Sequence, residues 1–325
     1  MPQNERVLTD HDATAVSQAF GLGPAATLAG PMARGHLGQV WRLTTTSGSY
    51  AVKEWFARPD LESVRRNARF SEAIRAAGVL TPAVIRTPNG SITANVAGAP
   101  FRVFEWVDLG TADRGVDPAA VGELVARLHR TAPVSSETVS PWFSVGVGAG
   151  YWYELLEKAR SEEAPFAPEL ANLVDHLIAV EQVIEPPEQT RVCHRDLWAD
   201  NVLPVADGRV CIIDFDNLGP ADPSHELAMV LFEFGRGDPE RARTLHQAYV
   251  DAGGPGRVTR PGHFAMVVAE QAHIGTLALS RWIEAADTAE TDNTVERARL
   301  AGWFDEVLDD PLTLTRIDRI VAAVT

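Results

Sequence analysis

The chain has 325 residues, 45% hydrophobic and 22% charged, which excludes a disordered chain and makes two lobes of about 100–200 residues more natural than one core. Its formal net charge of −15 leaves no surplus of cations for a nucleic-acid backbone or an anionic membrane; it suits a cationic ligand and equally a well-solvated acidic surface. Two cysteines, Cys193 and Cys211, cannot build a disulfide framework, and no Cys/His metal-site spacing accompanies them, so a reducing cytoplasm is the expected location. The N-terminal MPQNERVLTDHDATAV has no basic start followed by an apolar run, and no stretch approaches about 18 uninterrupted apolar residues, so no membrane association is expected.

No internal repeat or low-complexity tract interrupts the chain. In VWRLTTTSGSYAVKEW, Val40 and Leu43 alternate with polar neighbours, Ser47-Gly48 supplies a turn, and Tyr50 and Val52 resume the alternation, which predicts a hairpin. Residues 61–77 lack Gly and Pro until Gly78, and Pro82 bars resumption, which predicts one helix. SITANVAG and FRVFEWV read as two further strands, so a small β-rich lobe ends near Val107.

Beyond DLGTADRGVDP the period becomes helical. Val121, Leu124, Val125 and Leu128 follow the i, i+3, i+4, i+7 rule, as do Leu170, Leu173, Val174 and Leu177, and later Leu227, Val230, Leu231 and Phe234, closed by Gly235. Within this helical region, NVLPV and RVCIID are short apolar runs joined by the turn signal Asp207-Gly208, a second hairpin.

The loop CHRDLWADNVL enters that hairpin. Antiparallel pairing across Asp207-Gly208 returns Asn201 and Asp214 to the same end, with Asp196 five residues before Asn201. Two carboxylates and an amide oxygen form an all-oxygen set suited to a hard divalent cation such as magnesium. Asp and Asn are also favoured turn residues, so a capped turn is the competing reading.

CHRDLWADNVL together with CIIDFDNLGPADPSHELA resembles the catalytic core of the aminoglycoside phosphotransferase and choline kinase group, relatives of the protein kinases. The family pattern is His-Gly-Asp, four residues, Asn, an apolar strand ending in Ile-Asp, and then Asp-Pro leading into a helix. The resemblance runs from about Gly35 to Phe234 and implies an α+β, two-lobed protein-kinase-like fold: a small β-rich N-lobe, residues 1–107, and a larger, mostly helical C-lobe, residues 108–325, with the catalytic loop and acceptor site. It also implies ATP or GTP as donor, and magnesium. Matched by position, Asp196 is the catalytic base, Asn201 and Asp214 are metal ligands, and His194 steadies the loop. Arg195 stands where the family usually has glycine; a salt bridge to Asp216 or Asp222 is expected for it.

The N-lobe offers matching features. Gly35 and Gly38 precede a strand in RGHLGQVWRL, where missing side chains would let main chain approach phosphate oxygens; a plain hairpin turn would look the same. Lys53 ends the next strand, where a kinase lysine reaching the α/β-phosphates would lie, although a lysine beside Val52 and Trp55 could also be a snorkelling surface residue. Its expected helix partner is Glu72, with Glu62 as competitor and Asn67 near the family's acid position. Main-chain groups near Glu105 and Val107, in the hinge-like FRVFEWVDLG, would meet the adenine; a buried connecting strand predicts similar residues.

Protein kinases present peptides on a long activation segment, but here Asp222-Pro223 follows Asp214 after eight residues, so the acceptor is expected to be small. In HFAMVVAEQAHIGTLALSRWIEA, Glu270 falls on a stripe with Val267, Ile274 and Leu277; such a carboxylate is either paired inside the core or exposed in a pocket. Trp198 and Trp282 are stacking surfaces for a ring or simple packing, and Asp216 completes the expected acceptor-binding set. Asp305, Glu306, Asp309 and Asp310 read as a solvated helix face. The expected activity is transfer of the γ-phosphoryl group to a hydroxyl of a small, polar acceptor, neutral or cationic, best an aminoglycoside or similar hydroxylated antibiotic. The alternatives are a metabolic kinase for a sugar, amino sugar, choline or homoserine, and a dead kinase-like binding module, which would have lost Lys53, Asp196 or a metal ligand.

Overall fold

Thr9 caps the first helix: its hydroxyl accepts from the Asp12 N–H at 3.4 Å while its own N–H donates to the Asp12 carboxylate at 2.9 Å. The structure, a computed structural model, describes residues 8–35, 38–286 and 312–325. The chain forms two units, Met1–Ala112 with Asn201–Asp216, and Asp113–Asp200 with Asn217–Thr325.

In the first unit, α1 (Asp10–Phe20) is followed by β1 (Thr27–Arg34), β2 (Gly38–Thr45) and β3 (Gly48–Trp55), then α2 (Leu61–Ala76), β4 (Val84–Ile85), β5 (Ala94–Val96) and β6 (Ala99–Glu105). The antiparallel sheet runs β1-β2-β3-β6-β4, with β5 also on β6. Thr45 pairs with Gly48 across the Thr46-Ser47 loop, so the first predicted hairpin forms, with its turn one residue ahead of the expected Ser47-Gly48. One sheet face, with Trp41, Leu43, Val52, Phe101 and Val103, packs against Val16 and Phe20 of α1. Trp55 and Ile92 cluster with Val64 and Ala68 of α2. Asp60 caps α2 by accepting from the Glu62 and Ser63 N–H groups, and Gly78 follows at φ +87°.

In the second unit, α3 (Pro118–Thr131) buries Val121, Leu124, Val125 and Leu128 as their spacing predicts. It crosses close to a later helix, and a Cβ on Gly122 would stand 2.2 Å from the Leu245 carbonyl oxygen, so only glycine permits that approach. Then come α4 (Ala149–Ser161), α5 (Ala167–Glu181) and β7 (Arg191–Cys193). The second predicted hairpin, β8 (Val202–Pro204) with β9 (Val210–Ile212), interrupts this unit in sequence. It does not stay with the helices: Ile212 N–H donates to Leu80 O at 3.0 Å and Gly110 N–H to Pro204 O at 2.8 Å. Those main-chain bonds give Asn201–Asp216 to the β-rich unit, which extends to Ala112, so the expected division between residues 107 and 108 differs from the units of the structure.

The chain re-enters the second unit at β10 (Gly219–Ala221), antiparallel to β7, and continues through α6 (Pro223–Gly235), α7 (Pro239–Asp251), α8 (Ala265–Ala286) and a last helix, Leu314–Val324. The spacing of Leu227, Val230, Leu231 and Phe234 predicts an amphipathic α6, but His225 to Gly235 are all buried, so α6 is this unit's central helix. On α8, Val267 is buried as its stripe requires, whereas Leu277 is exposed. Asp305, Glu306, Asp309 and Asp310 lie outside the described residues. Among the described residues no helix is long and apolar enough to cross a membrane.

Candidate active site

In the first unit the site is built around Lys53. Lys53 on β3 stands directly opposite Arg102 on β6, on the same face of the sheet. Its Nζ donates to Asp214 Oδ1 and Oδ2 at 2.9 and 3.1 Å and lies 2.7 Å from Asp216 Oδ2. Burial alone would lower the lysine's pKa; the two carboxylates outweigh it and hold the ammonium above its ordinary value. Ile213 N–H donates to Asn201 O at 3.0 Å, continuing the hairpin to its open end, where Asp214 turns the chain at φ +57°. Phe215, between the two acids, packs on Phe70 of α2 with ring centroids 6.2 Å apart.

Glu72 is not the partner of Lys53: its carboxylate accepts from Arg86 Nη2 at 2.7 Å and Nε at 3.2 Å. The cause is the rotation of α2, which buries Val64, Asn67, Ala68, Ser71 and Ile74 and leaves Glu72 off that face and Glu62 exposed. Gly35 N–H donates to Gly38 O at 2.9 Å, a turn that closes β1 onto β2. Gly38 is required by strand pairing, since a Cβ there would stand 2.2 Å from the Glu54 carbonyl oxygen. The Glu105 main-chain N–H is engaged by Ala83 O at 2.9 Å and its carboxylate by Arg75 at 3.1 Å. Val107, past the end of β6, has no main-chain hydrogen bond among the described residues. Sequence reasoning missed Arg102, which is only 2% exposed and lies within the field of Asp216 and Asp214; an arginine inside FRVFEWV was its signal.

In the second unit the loop after β7 carries Asp196, whose Oδ2 accepts from Asn217 Nδ2 at 2.9 Å. Arg195 adopts φ +63°, the left-handed region open to glycine, which accounts for the glycine usual at this position. Its Nε donates to Asn217 O at 2.7 Å and its guanidinium lies 4.5 Å over the Phe143 ring. The expected salt bridge gives way to these contacts: Asp216 pairs with Lys53, and Asp222 caps α6 while accepting from the Glu188 and Gln189 N–H groups.

Two glutamates of α6 that sequence reasoning did not single out hold this loop. Glu226 accepts from the main-chain N–H groups of His194 and Arg195 and is 2.7 Å from His129 Nε2. Burial pushes its carboxyl up, but the bond and charge of His129, the charge of His194 and the Arg195 N–H outweigh it and hold the group below its ordinary value. Glu233 accepts from Ala199 N–H at 3.1 Å and from Arg114 Nε at 3.0 Å. Seven residues apart, the two lie on one face of the helix, and two acids at that spacing in apolar SHELAMVLFEF were the available signal. His194 is buried beside them.

Trp198 packs edge-on against Phe232, and its Nε1 reaches Glu270 Oε1 at 3.4 Å. Glu270 is 4% exposed and its Oε2 has no partner. Burial, reinforced by the negative charge of Asp196, pushes its carboxyl well above the ordinary range. Trp282 stands edge-to-face on Phe166 at 5.0 Å within the α4/α5/α8 core, so packing accounts for it rather than stacking on a ligand. The structure thus gathers Lys53, Asn201, Asp214 and Asp216 in one unit and His194, Asp196, Trp198 and Glu270 in the other.

The displaced Glu270 makes stability pH-dependent. Below the ordinary glutamate value both folded and unfolded carboxyls are protonated; above it only the unfolded one ionises, so the wild type loses stability as pH rises through the ordinary glutamate range. Denaturant titrations at pH 4.5 and 8 should show Glu270→Gln gaining stability over wild type at pH 8 and not at pH 4.5. An equal difference at both pH values would mean the carboxyl is ionised in the fold.

Known proteins similar to this chain bear on its fold and family. The homoserine kinase of Nitrobacter winogradskyi is 26% identical over 212 residues, 61% of this chain and 60% of that protein. The homoserine kinase of a Bradyrhizobium species is 28% identical over 182 residues, 53% of each, so the chain spans between about half and three-fifths of these curated relatives. Among solved structures, a spectinomycin phosphotransferase in complex with ADP and spectinomycin superposes with a TM-score of 0.68 at 14% identity, covering 98% of this chain and 99% of that one. An aminoglycoside phosphotransferase from Alicyclobacillus acidocaldarius gives 0.61 at 17% identity, covering 98% and 97%. These likenesses establish the α+β protein-kinase-like fold. The model of the phosphotransferase enzyme family matches residues 30–260, a span that holds Lys53, the Asp196 loop and Asp214. With well over half of its length inside that match, the chain belongs to the phosphotransferase enzyme family.

Proposed function

We propose that the protein is a small-molecule kinase that transfers the γ-phosphoryl group of ATP, or GTP, to a hydroxyl. The observation that carries this reading is the Lys53 ammonium held between Asp214 and Asp216, a cation and an oxygen-ligand set in one place. Lys53 would bind the donor phosphates, with Gly35, Gly38 and the free main chain of Val107 lining the nucleotide. The oxygens of Asn201 and Asp214 fit a hard cation, and magnesium there would offset phosphate charge. Asp196, steadied by Asn217 and by the anchored His194–Arg195 main chain, would accept the acceptor's hydroxyl proton. The new O–P bond forms as the bond to the β-phosphate oxygen breaks, and ADP leaves with that electron pair.

The family match supports phosphoryl transfer, and the ADP complex of the spectinomycin enzyme supports a nucleotide donor. A hydroxylated antibiotic is our first reading of the acceptor. The second, homoserine or a similar metabolite, is favoured by the two homoserine kinase relatives. With ATP as donor, no membrane-crossing helix among the described residues and an acidic chain, we assign the protein to the cytoplasm and to a small-molecule partner rather than nucleic acid.

Asp214→Asn tests the metal assignment. The magnesium concentration needed for half-maximal turnover should rise by at least about tenfold, the low end for disturbing a metal's ligand environment, with the thermal transition little moved because Asp214 is exposed. An unchanged magnesium titration would remove Asp214 from the metal site.

A further inference from the structure

Arg102 on β6 is 2% exposed, and its Nε has no hydrogen-bond partner. Its guanidinium lies 4.5 Å over the Phe104 ring and forms no ion pair among the described residues. Burying an unpaired charge is costly, and Arg102 also stands directly opposite a second cation, Lys53, an arrangement that destabilises a sheet on its own. Burial lowers the pKa of the guanidinium, and the charges of Asp216 and then Asp214 oppose that most strongly. The buried arginine is therefore tied to the two acids that hold Lys53.

The helix that covers this side of the sheet brings no acid to it. Trp55, on the same side of β3 as Lys53, clusters with Val64 and Ala68 of α2. Between those two on the buried side of α2 is Asn67, 3% exposed, whose Oδ1 has no partner. Both carboxylates come instead from the segment after β9, and they differ in burial: the side chain of Asp214 is 40% exposed and that of Asp216 14%. Asp216 Oδ2 is 2.7 Å from Lys53 Nζ, yet no donor is aligned on it for a hydrogen bond. An acceptor on Asp216 and a donor on Arg102 are thus both buried and both unfilled beside the same lysine.

We propose that Asp216 is the standing partner of Lys53, where α2 supplies only an amide, and that Arg102 is a positioning residue that braces Asp216 and leaves the group positively charged toward the donor phosphates. With Asp214 on Lys53, two cations and two acids cancel. Once the more exposed Asp214 serves the metal, Lys53, Asp216 and Arg102 remain, two cations with one acid, and face the phosphates with a positive excess. Without Arg102 the remaining pair would be neutral. This last step rests on the nucleotide reading of the site, whereas the brace is testable in the chain without nucleotide.

Denaturant midpoints are compared for the full-length wild type, Arg102→Met, Asp216→Asn and the double variant, all free of nucleotide. Asp216→Asn leaves two buried cations with one acid and should lower the midpoint. Adding Arg102→Met, which keeps an unbranched apolar stem, removes the surplus cation and should bring the midpoint back toward the wild type, a coupling that independent sites do not show. Losses that simply add in the double variant would overturn the brace. In parallel, a magnesium-loaded, non-hydrolysable ATP analogue is titrated calorimetrically. Arg102→Met should weaken its binding by about tenfold, the scale of one unit charge acting at a partly buried site, and Arg102→Lys, which keeps the charge, should hold it near the wild type. An unchanged affinity in Arg102→Met, or an equal loss in Arg102→Lys, would overturn the charge role of Arg102. Recovery of the midpoint in a chain whose wild type does not bind the analogue supports the brace and sinks the nucleotide reading instead.

Discussion

Asp196→Asn should abolish turnover while leaving nucleotide binding within a few-fold of wild type. Asparagine keeps an oxygen to accept from Asn217 Nδ2, now at 2.9 Å, and keeps the size of the side chain, so the loop has no reason to move. What it loses is the ability to take up the acceptor's proton. Removing a general base typically costs about 10²–10⁴-fold in rate, roughly 3–5 kcal/mol of barrier. Steady-state ADP release and equilibrium nucleotide titration on one preparation separate the outcomes. Normal turnover would show that this loop does not perform the chemistry, and lost nucleotide binding would show that Asp196 serves structure.

The parts of the fold legible in the sequence are those whose signal is local. The first hairpin, whose turn falls at Thr46-Ser47 rather than Ser47-Gly48, and the Asp207-Gly208 turn lie between short apolar runs, and α3 carries a 3.6-residue period, so each element is legible from its own residues. β1 is not legible in the sequence because it has no alternation to show: its residues are nearly all exposed and its register on β2 shifts between Ala29 and Ala33. The β8/β9 hairpin is legible as a hairpin but its sequence context points to the helical lobe, since its bonds to Leu80 and Gly110 span some ninety residues or more and leave no local trace.

The same distinction runs through the site. Asp196, Asn201 and Asp214 sit in one short motif and were legible together. The partner of Lys53 was not, because separation along the chain does not reveal which side of α2 faces the sheet; Arg86 takes Glu72, and Lys53 turns to two carboxylates 161 and 163 residues away. Glu270 left two readings open in the sequence, paired in the core or exposed in a pocket. The structure gives neither in full: it is buried, with one oxygen beside Trp198 and the other without a partner.

Glu226 should prove the most costly side chain to alter. Its carboxylate accepts from two main-chain N–H groups of the catalytic loop and from His129, all without solvent. Glu226→Gln replaces one accepting oxygen with an NH₂ that faces donors, leaving at least one buried N–H unpaired at about 1–3 kcal/mol and His129 without its charge partner. Breaking a buried pair by removing one member typically costs 3–5 kcal/mol, so a loss on the order of 3–5 kcal/mol is expected in denaturant titrations at pH 7. The pH dependence separates charge from shape. Glu226 is held below its ordinary value in the fold, so its stabilisation is fully present above the ordinary glutamate range and is lost as pH falls through the depressed folded value. The gap between wild type and Glu226→Gln should therefore narrow in acid; a gap of the same size throughout would assign the loss to packing. Because Glu226 grips the main chain of His194 and Arg195 just ahead of Asp196, the variant that folds should also lose kcat more than nucleotide affinity. Stability within about 0.5 kcal/mol of wild type at pH 7, the range of an ordinary surface substitution, would mean that the loop holds its shape without this anchor.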